Sequence, residues 1–216
     1  METVNFSAKD LVSRSCMQIK MFLERPELKP KPNFNQINGV NYQHEIAQET
    51  DDIIGEEMGN CFEFDGVRIY FSNDIIMKDK IIEVKHIDYD RVVEEWYLNY
   101  SLLQCAVYKT LVEECGNKLR TSSFHINNGN TMKNCILEND FTYLLYFGKD
   151  KYEVEVFNKD KIINFIKTKA KHCLSWEDAR YFDNQYKRKE YELLKDCFKV
   201  KKYGITTVNK KSIKKY

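Results

Sequence analysis

S-N-D-I-I-M-K-D-K-I-I-E-V-K-H-I, from Ser72 to Ile87, is an apolar run interrupted by three charged residues, Asp74, Glu83 and Lys85. Its two apolar halves flank a short polar segment, Lys78-Asp79-Lys80, and this pattern predicts two strands joined by a tight turn. A strand inside a sheet buries at least one of its faces, so charged residues at these positions need a structural or chemical reason.

Alternate side chains of a strand share a face, so Glu83 and Lys85 point one way while Ile82 and Val84 point into the opposite layer. Nine positions separate Asp74 from Glu83, which is the separation that a tight hairpin needs to align them. Two carboxylates at one place repel each other unless a cation lies between them, and oxygen ligands of this kind suit Mg²⁺ or Mn²⁺. Lys85 beside a metal could orient or help deprotonate a water and stabilise charge on a phosphate. The alternative is an ordinary ion pair between Glu83 and Lys85 on a solvated strand face.

The remaining sequence predicts a mixed α/β fold. C-F-E-F-D-G-V-R-I-Y-F forms a second hairpin around Asp65-Gly66, a pair that accepts the positive φ angles of a type I′ turn, so that four strands form a meander. Two later strands are predicted at 142–147 and 152–157. Helices are predicted at 8–24, 42–54, 91–114, 159–171 and 176–197. The first has a predicted capping box of Ser7 and Asp10, and the third has Gly116 as its predicted C-cap. The fold class is therefore a mixed central β-sheet flanked by helices.

Composition limits the domain count and the compartment. The 216 residues are 43% hydrophobic, which favours one domain at residues 1–203 followed by a basic tail at 204–216. The net charge of +1 names no partner, although the basic end could attract polyanions. The seven cysteines are scattered and include no C-x-x-C pair, which predicts a reducing compartment. The sequence shows no signal-peptide pattern and no apolar run long enough to span a membrane, so the predicted location is cytoplasmic.

Two further motifs accompany the acidic pair. Gln104 and Tyr108 lie in the helix predicted directly after the E-V-K strand, one turn apart and on one face. His44 lies at the start of the helix ahead of the sheet, and imidazole is a common Mn²⁺ ligand. Taken singly, a half-buried Tyr108, an exposed Gln104 and a satisfied polar His44 are the more ordinary interpretations.

In sequence order the motifs H, D, E-x-K and Q-x-x-x-Y resemble the PD-(D/E)XK nuclease superfamily, and within it the RecB-like branch. This branch includes recombination nucleases, phage-type exonucleases, mitochondrial genome maintenance exonucleases and the nucleases of CRISPR adaptation. The resemblance covers residues 7–108, about half of the chain. It implies a restriction-endonuclease-like core.

The resemblance also implies roles for individual residues. His44, Asp74, Glu83 and the carbonyl of Val84 would bind one or two Mg²⁺ or Mn²⁺ ions, and Lys85 would be the catalytic lysine. Gln104 and Tyr108 would hold the DNA end or the lysine, and Arg14 would contact a phosphate. The proline usual before the first acid is replaced by Asn73.

Some relatives in this superfamily bind a [4Fe-4S] cluster through one early and three late cysteines. Cys16 occupies an early position, but Cys173 and Cys197 are far apart and no close-set trio follows them. This spacing argues against an iron–sulfur cluster, and core packing is the simpler use of these thiols.

These patterns together predict a Mg²⁺- or Mn²⁺-dependent nuclease that hydrolyses DNA, with exonuclease action on single strands or duplex ends favoured. RNA remains an alternative substrate, since no residue discriminates the sugar. Two other classes stay open: a catalytically inactive nucleic-acid-binding or regulatory protein on the same scaffold, and a structural or interaction protein. The Lys-, Ile- and Asn-rich composition suits a phage, virus or mobile element. Aromatic residues near the second motif could stack bases or pack in the rim: Tyr89, Trp96, Tyr97 and Tyr100.

Overall fold

A mixed, open β-sheet flanked by helices forms the centre of the protein, as the predicted α/β class requires. The computed structural model describes residues 3–31, 34–87, 95–121, 133–186 and 189–203, with the backbone alone at 34–37. The strands are β1 Val4–Ser7, β2 Gly55–Phe64, β3 Val67–Ile76, β4 Lys80–Lys85, β5 Lys118–Thr121, β6 Asn134–Ile136, β7 Thr142–Phe147, β8 Asp150–Val156 and β9 Phe198–Tyr203. The helices are α1 Ala8–Ser13, α2 Cys16–Glu24, α3 Phe34–Gln48, α4 Glu95–Glu114, α5 Lys159–His172, α6 Trp176–Tyr186 and α7 Glu190–Leu194, with 3₁₀ turns at Pro26–Leu28 and Lys195–Cys197.

The strand order is β6-β5-β2-β3-β4-β7-β8-β9, with β1 paired in parallel to β3. Strands β2, β3 and β4 are successive antiparallel neighbours. After β4 the chain runs through α4, then through β5 and β6 on the far side of β2, before it returns as β7, which pairs in parallel with β4. This crossover places α4 directly behind the strand that carries Glu83 and Lys85. The two later predicted strands are confirmed as β7 and β8.

The hairpin between β2 and β3 is confirmed, but the four-strand meander is wrong. Asp65 and Gly66 have φ angles of 43° and 75°, as a type I′ turn requires. Strand β3 then continues without a break from Val67 to Ile76, paired to β2 along its length, so the meander has three strands. Ser72 and Asn73 are residue types common in turns, but both pair with β2, opposite Gly59 and Met58, and this pairing keeps the chain extended.

The two faces of the sheet are covered by different helices. Ile82 and Val84 pack with Ala47 of α3, as the alternation in β4 predicts. Their neighbours Ile76 and Ile81 belong to the larger core, which includes residues 102–108 of α4. Side chains that alternate with Ile82 and Val84 along β4 therefore point towards α4.

The first predicted helix is broken in two. Ser7 makes no side-chain cap, and the capping box lies instead at Ser15, whose hydroxyl accepts from the Gln18 N–H at 3.2 Å while the Gln18 side chain accepts from the Ser15 N–H at 3.3 Å. The carboxylate of Asp183, from α6, accepts from the Cys16 N–H at 2.8 Å. A residue 167 positions away thus caps the start of α2, which local patterns could not indicate.

Other boundaries also differ from the predictions. The helix predicted at 42–54 is α3, which begins and ends earlier, and the helix predicted at 176–197 is divided among α6, α7 and a 3₁₀ turn. Strands β1, β5, β6 and β9 were not predicted, because three of them are only three or four residues long and all pair with distant segments. Gly116 has a φ of 66° just after α4, consistent with the predicted C-cap. Residues 91–94 of the third predicted helix, Tyr89 and the tail at 204–216 lie outside the described residues.

In the part of the chain that the structure describes, no helix combines the length and the hydropathy needed to cross a membrane.

Candidate active site

An opening between β3 and β4 forms the site. Strand β2 occupies one edge of β3 from Val67 to Ile76, and the other edge is shared by β1, along Val67–Tyr70, and β4, at Ile75 and Ile76 only. The gap between these partners falls at Asp74. At this point the contact between β3 and β4 is made by a side chain: Oδ2 of Asp74 accepts a hydrogen bond from the backbone N–H of Val84 at 2.7 Å.

Glu83 is the buried centre of the site. Its Oε1 accepts from Lys85 Nζ at 2.5 Å and from Gln104 Nε2 at 2.8 Å. Its residue surface is only 2% exposed, yet Oε2 has no hydrogen-bond partner among the described residues, and neither has Oε1 of Gln104. A buried acceptor without a partner costs about 1–3 kcal/mol, and a charged one more. The free oxygen of Glu83 therefore marks a place where a cation or a donor fits.

Lys85 is a cation in this environment. Burial lowers the pKa of its ammonium, but the carboxylates of Glu83 and Asp74 oppose this effect and hold the pKa well above its usual value. At neutral pH Lys85 thus donates hydrogen bonds and has no lone pair with which to remove a proton. A protonated Lys85 can stabilise negative charge on a phosphate, which is one of the two roles considered from the sequence.

Asp74 is destabilised in its charged form, in contrast to Lys85. Burial raises the pKa of its carboxyl well above the usual value, and the nearby charges of Glu83 and Glu57 raise it further, while Lys85 and the Val84 N–H oppose the rise. One lysine does not compensate several acids. A divalent cation would relieve both the desolvation and the repulsion.

Replacing Asp74 by asparagine should therefore stabilise the metal-free protein. The folded-state pKa of Asp74 is raised above 3.8. The free energy of unfolding of the wild type therefore falls as the pH rises from near that value through the folded-state pKa. In EDTA, thermal melts should show a larger gain in Tm for Asp74→Asn at about pH 7 than at about pH 4. Asp79→Asn, in the exposed turn, is the matched control. A gain of equal size at both pH values would contradict the electrostatic cause.

Helix α4 holds the site from behind. Tyr100, Gln104 and Tyr108 follow at intervals of one turn and so lie on one face. Gln104 fixes Glu83, whereas Tyr108 is buried with its ring centroid 6.2 Å from that of Phe71. Burial raises the pKa of Tyr100 to about 12, so its hydroxyl stays protonated. The structure thus joins Gln104 to the predicted site and places Tyr108 in the adjoining core.

The two other predicted side chains, His44 and Arg14, form ion-pair contacts with residues other than Asp74 and Glu83. His44 is exposed on α3, with Nδ1 2.7 Å from Oε2 of Glu56, while the preceding residue, Gln43, donates to the backbone oxygen of Asp74 at 3.2 Å. Arg14 follows α1 and pairs with Asp10, with Nε and Oδ1 2.8 Å apart. Metal binding by His44 and the Val84 carbonyl, and phosphate binding by Arg14, stay predictions.

Asn73, the residue in place of the usual proline, has a structural task. It is fully buried, its Nδ2 donates to the Met58 oxygen at 3.1 Å, and its Oδ1 accepts from the Tyr143 hydroxyl at 2.8 Å. These bonds tie β3 to both β2 and β7 beside Asp74. A proline could make neither of them.

Sequence reasoning missed Glu57, a third carboxylate near Asp74. Its φ angle is 53°, an unusual value for a non-glycine residue inside a strand. Left-handed backbone costs an L-residue about 1–2 kcal/mol. The predicted strand began at Cys61, and G-E-E-M has no strand periodicity, so no local signal pointed to this residue.

Among the described residues, no three His, Cys, Asp or Glu side chains already form a metal-binding group. Asp74 and Glu83 supply two carboxylates, and any further ligand must come from a backbone oxygen or from a side chain that adjusts. The buried, unpaired oxygen of Glu83 and the raised pKa of Asp74 agree with such a site.

Comparison with known proteins found no matching family model, no matching curated protein and no matching solved structure.

Proposed function

We propose that the protein is a Mg²⁺- or Mn²⁺-dependent nuclease that hydrolyses DNA phosphodiester bonds, built on a restriction-endonuclease-like core of the PD-(D/E)XK superfamily and its RecB-like branch. The observation that carries the proposal is the convergence of Asp74, Glu83, Lys85 and Gln104 around a buried carboxylate oxygen without a partner. The position of α4 between β4 and β7 supports it, because this crossover brings the Q-x-x-x-Y motif onto the E-x-K strand.

Each residue has a distinct task in the proposed reaction. Asp74 and Glu83 would hold the cation, with His44 and the Val84 carbonyl as further predicted ligands. A bound Mg²⁺ or Mn²⁺ supplies positive charge that stabilises the charge developing on the phosphate. Lys85 is held 2.5 Å from Glu83 and can donate to a phosphate oxygen or to the attacking water.

Gln104 is a positioning residue in this proposal. It donates to the same Glu83 oxygen as Lys85 does, which fixes the carboxylate and leaves its other oxygen for the cation. A carboxylate fixed before the substrate arrives needs no reorganisation during the reaction.

The exposed end of α4 supports a substrate with unpaired bases. Trp96 is 63% exposed and precedes Tyr100 and Gln104 at four-residue intervals, so the three residues share a face. The eight residues from Trp96 to Gln104 span about 12 Å of helix, which is within reach of a nucleotide next to the cleaved phosphate. An indole can stack an unpaired base, so a single strand or a frayed duplex end fits this surface.

The test is digestion of end-labelled and circular DNA, single- and double-stranded, and of matching RNA, with Mn²⁺, Mg²⁺ or EDTA. We expect divalent-dependent cleavage of DNA that EDTA abolishes, and sparing of the circles by an exonuclease. Cleavage of RNA alone would reassign the substrate. Salt-sensitive retention of DNA without cleavage would instead identify a catalytically inactive binding protein on this scaffold.

A further inference from the structure

The buried polar atoms without a partner gather around the middle of α4. Among the described residues, three buried side-chain oxygens make no hydrogen bond of normal geometry: Glu83 Oε2, Gln104 Oε1 and the hydroxyl of Tyr100. Gln104 is bonded to Glu83 through its Nε2 at 2.8 Å, and Tyr100 precedes Gln104 by one turn on the same helix face. Folded proteins satisfy nearly all such atoms, so three at one site call for a common explanation.

The phenol of Tyr100 lies near the charged residues of the site. Burial is the main cause of its raised pKa, and the charges of Lys85 and Glu83 act on that pKa in opposite directions. The Ser13 side chain, at the end of α1, also lowers the pKa of Tyr100, although no hydrogen bond of normal geometry joins the two hydroxyls. Tyr100 therefore belongs to the polar cluster of Glu83 and Lys85, and Ser13 is the rival partner for its hydroxyl.

The chemistry of the three atoms selects their ligand. Carboxylate and amide oxygens accept hydrogen bonds and cannot donate them, whereas a phenol hydroxyl can donate. A phosphate oxygen would accept from Tyr100 but carries no hydrogen for Gln104 Oε1. A bare cation would suit Glu83 Oε2 but could not accept the hydrogen of Tyr100. Water has two hydrogens and an accepting oxygen, and a buried water typically makes about three such bonds, so of these ligands it alone matches all three atoms.

We propose that Tyr100 and Gln104 hold the attacking water of the nuclease beside Glu83, which makes Tyr100 a further catalytic residue outside the Q-x-x-x-Y motif. The inference rests on the proposed function, because it assigns the water of that reaction. When a cation occupies Glu83 Oε2, Tyr100 still supplies a donor and Gln104 an acceptor for the water.

The two residues orient the water and keep their own protons throughout the reaction. Net hydrolysis joins the water oxygen to phosphorus and breaks the bond between phosphorus and the leaving oxygen. One water proton ends on the leaving oxygen, and the other ends on the phosphate product or in solvent.

The experiment measures kcat and KM for end-labelled DNA, together with Tm in EDTA, on the full chain. Tyr100→Phe should lower kcat by about 10²-fold and leave KM unchanged, since a reactant displaced by about 1 Å can cost that much. Its Tm should stay close to that of the wild type, because no direct bond to another residue is lost. Tyr143→Phe breaks the direct bond to Asn73 and should lower Tm. Tyr181→Phe, exposed on α6, should change neither kcat nor Tm.

Two further variants separate a shared water from a contact with Ser13. Ser13→Ala should keep the wild-type kcat, because the water holds the Tyr100 hydroxyl. Gln104→Leu lowers kcat by itself, and adding Tyr100→Phe should cost little more, since the water has already lost one of its partners. A crystal structure of the metal-free full chain should show the water within hydrogen-bond distance of the Tyr100 hydroxyl and Gln104 Oε1.

Several results would overturn the inference: a wild-type kcat in Tyr100→Phe, a Tm as low as that of Tyr143→Phe, or the same loss of kcat in Ser13→Ala. Fully multiplied losses in the double variant would contradict a shared water. A wild type that cleaves no nucleic acid would overturn the proposed function and the attacking role of the water. The crystal structure would then decide the water site by itself, since a site without the water would overturn that as well.

Discussion

Glu83→Gln is expected to abolish divalent-dependent cleavage and the stabilisation of the protein by Mn²⁺. Neutral glutamine keeps the size of the side chain but removes the buried charge that would hold the cation, and Lys85 loses the negative charge of its partner at 2.5 Å. Lys85→Met should lose cleavage by a comparable factor, about 10²–10³, because a fixed donor aimed at developing charge is worth that much. Its response to Mn²⁺ should persist, since both predicted carboxylate ligands remain.

The pair of variants separates metal binding from chemistry. Cleavage rates and Mn²⁺-induced shifts in Tm are measured together. The controls are Lys80→Met on the same strand and a change at the exposed Glu155 of β8, Glu155→Gln. The double variant Glu83→Gln/Lys85→Met removes both charges, so it should fold better than Lys85→Met, in which a buried carboxylate has lost its cation. Cleavage by either single variant at the wild-type rate would rule out this site as the catalytic centre.

Lys169→Met is expected to lower the free energy of unfolding by about 3–5 kcal/mol. Lys169 is fully buried in α5, where its Nζ lies 2.6 Å from Oε1 of Glu190 and donates to the Arg14 oxygen at 2.8 Å. Methionine fills the space but leaves the Glu190 carboxylate buried without its cation. Urea denaturation measures the loss.

Lys171→Met provides the surface comparison. Lys171 pairs with Asp65 at 2.7 Å, but both side chains are more than half exposed, so the loss of stability should be much smaller than that of Lys169→Met. In Lys169→Met/Glu190→Leu both buried charges are gone, and most of the lost stability should return. A single Lys169→Met variant as stable as Lys171→Met would show that the buried pair contributes little.

Local patterns were sufficient for the hairpins and for the central pair of the site. Asp65-Gly66 favours the tight turn between β2 and β3. The length of the separate turn at 77–79, between β3 and β4, sets the register that brings Asp74 beside Glu83. Strict alternation in β4 places Glu83 and Val84 on opposite faces of the sheet. These features depend on neighbours in sequence, and so they could be predicted.

Features that depend on distant partners could not be predicted. The break before α2 is stabilised by Asp183, and strand β9 forms because β8 offers it an edge. Lys169 gives no sign in the sequence that it is buried, because its partner Glu190 lies 21 residues away.

The sequence by itself determined the α/β class, the two hairpins and the alignment of Asp74 with Glu83 and Lys85, because turn chemistry and strand periodicity act over a few residues. Only the tertiary structure decided that Gln104 fixes Glu83, that one Glu83 oxygen is left buried and unpaired among the described residues, and that Glu57 lies close enough to act on Asp74. These properties depend on which strands and helices lie side by side and on how far water is excluded between them, and non-local packing alone sets both.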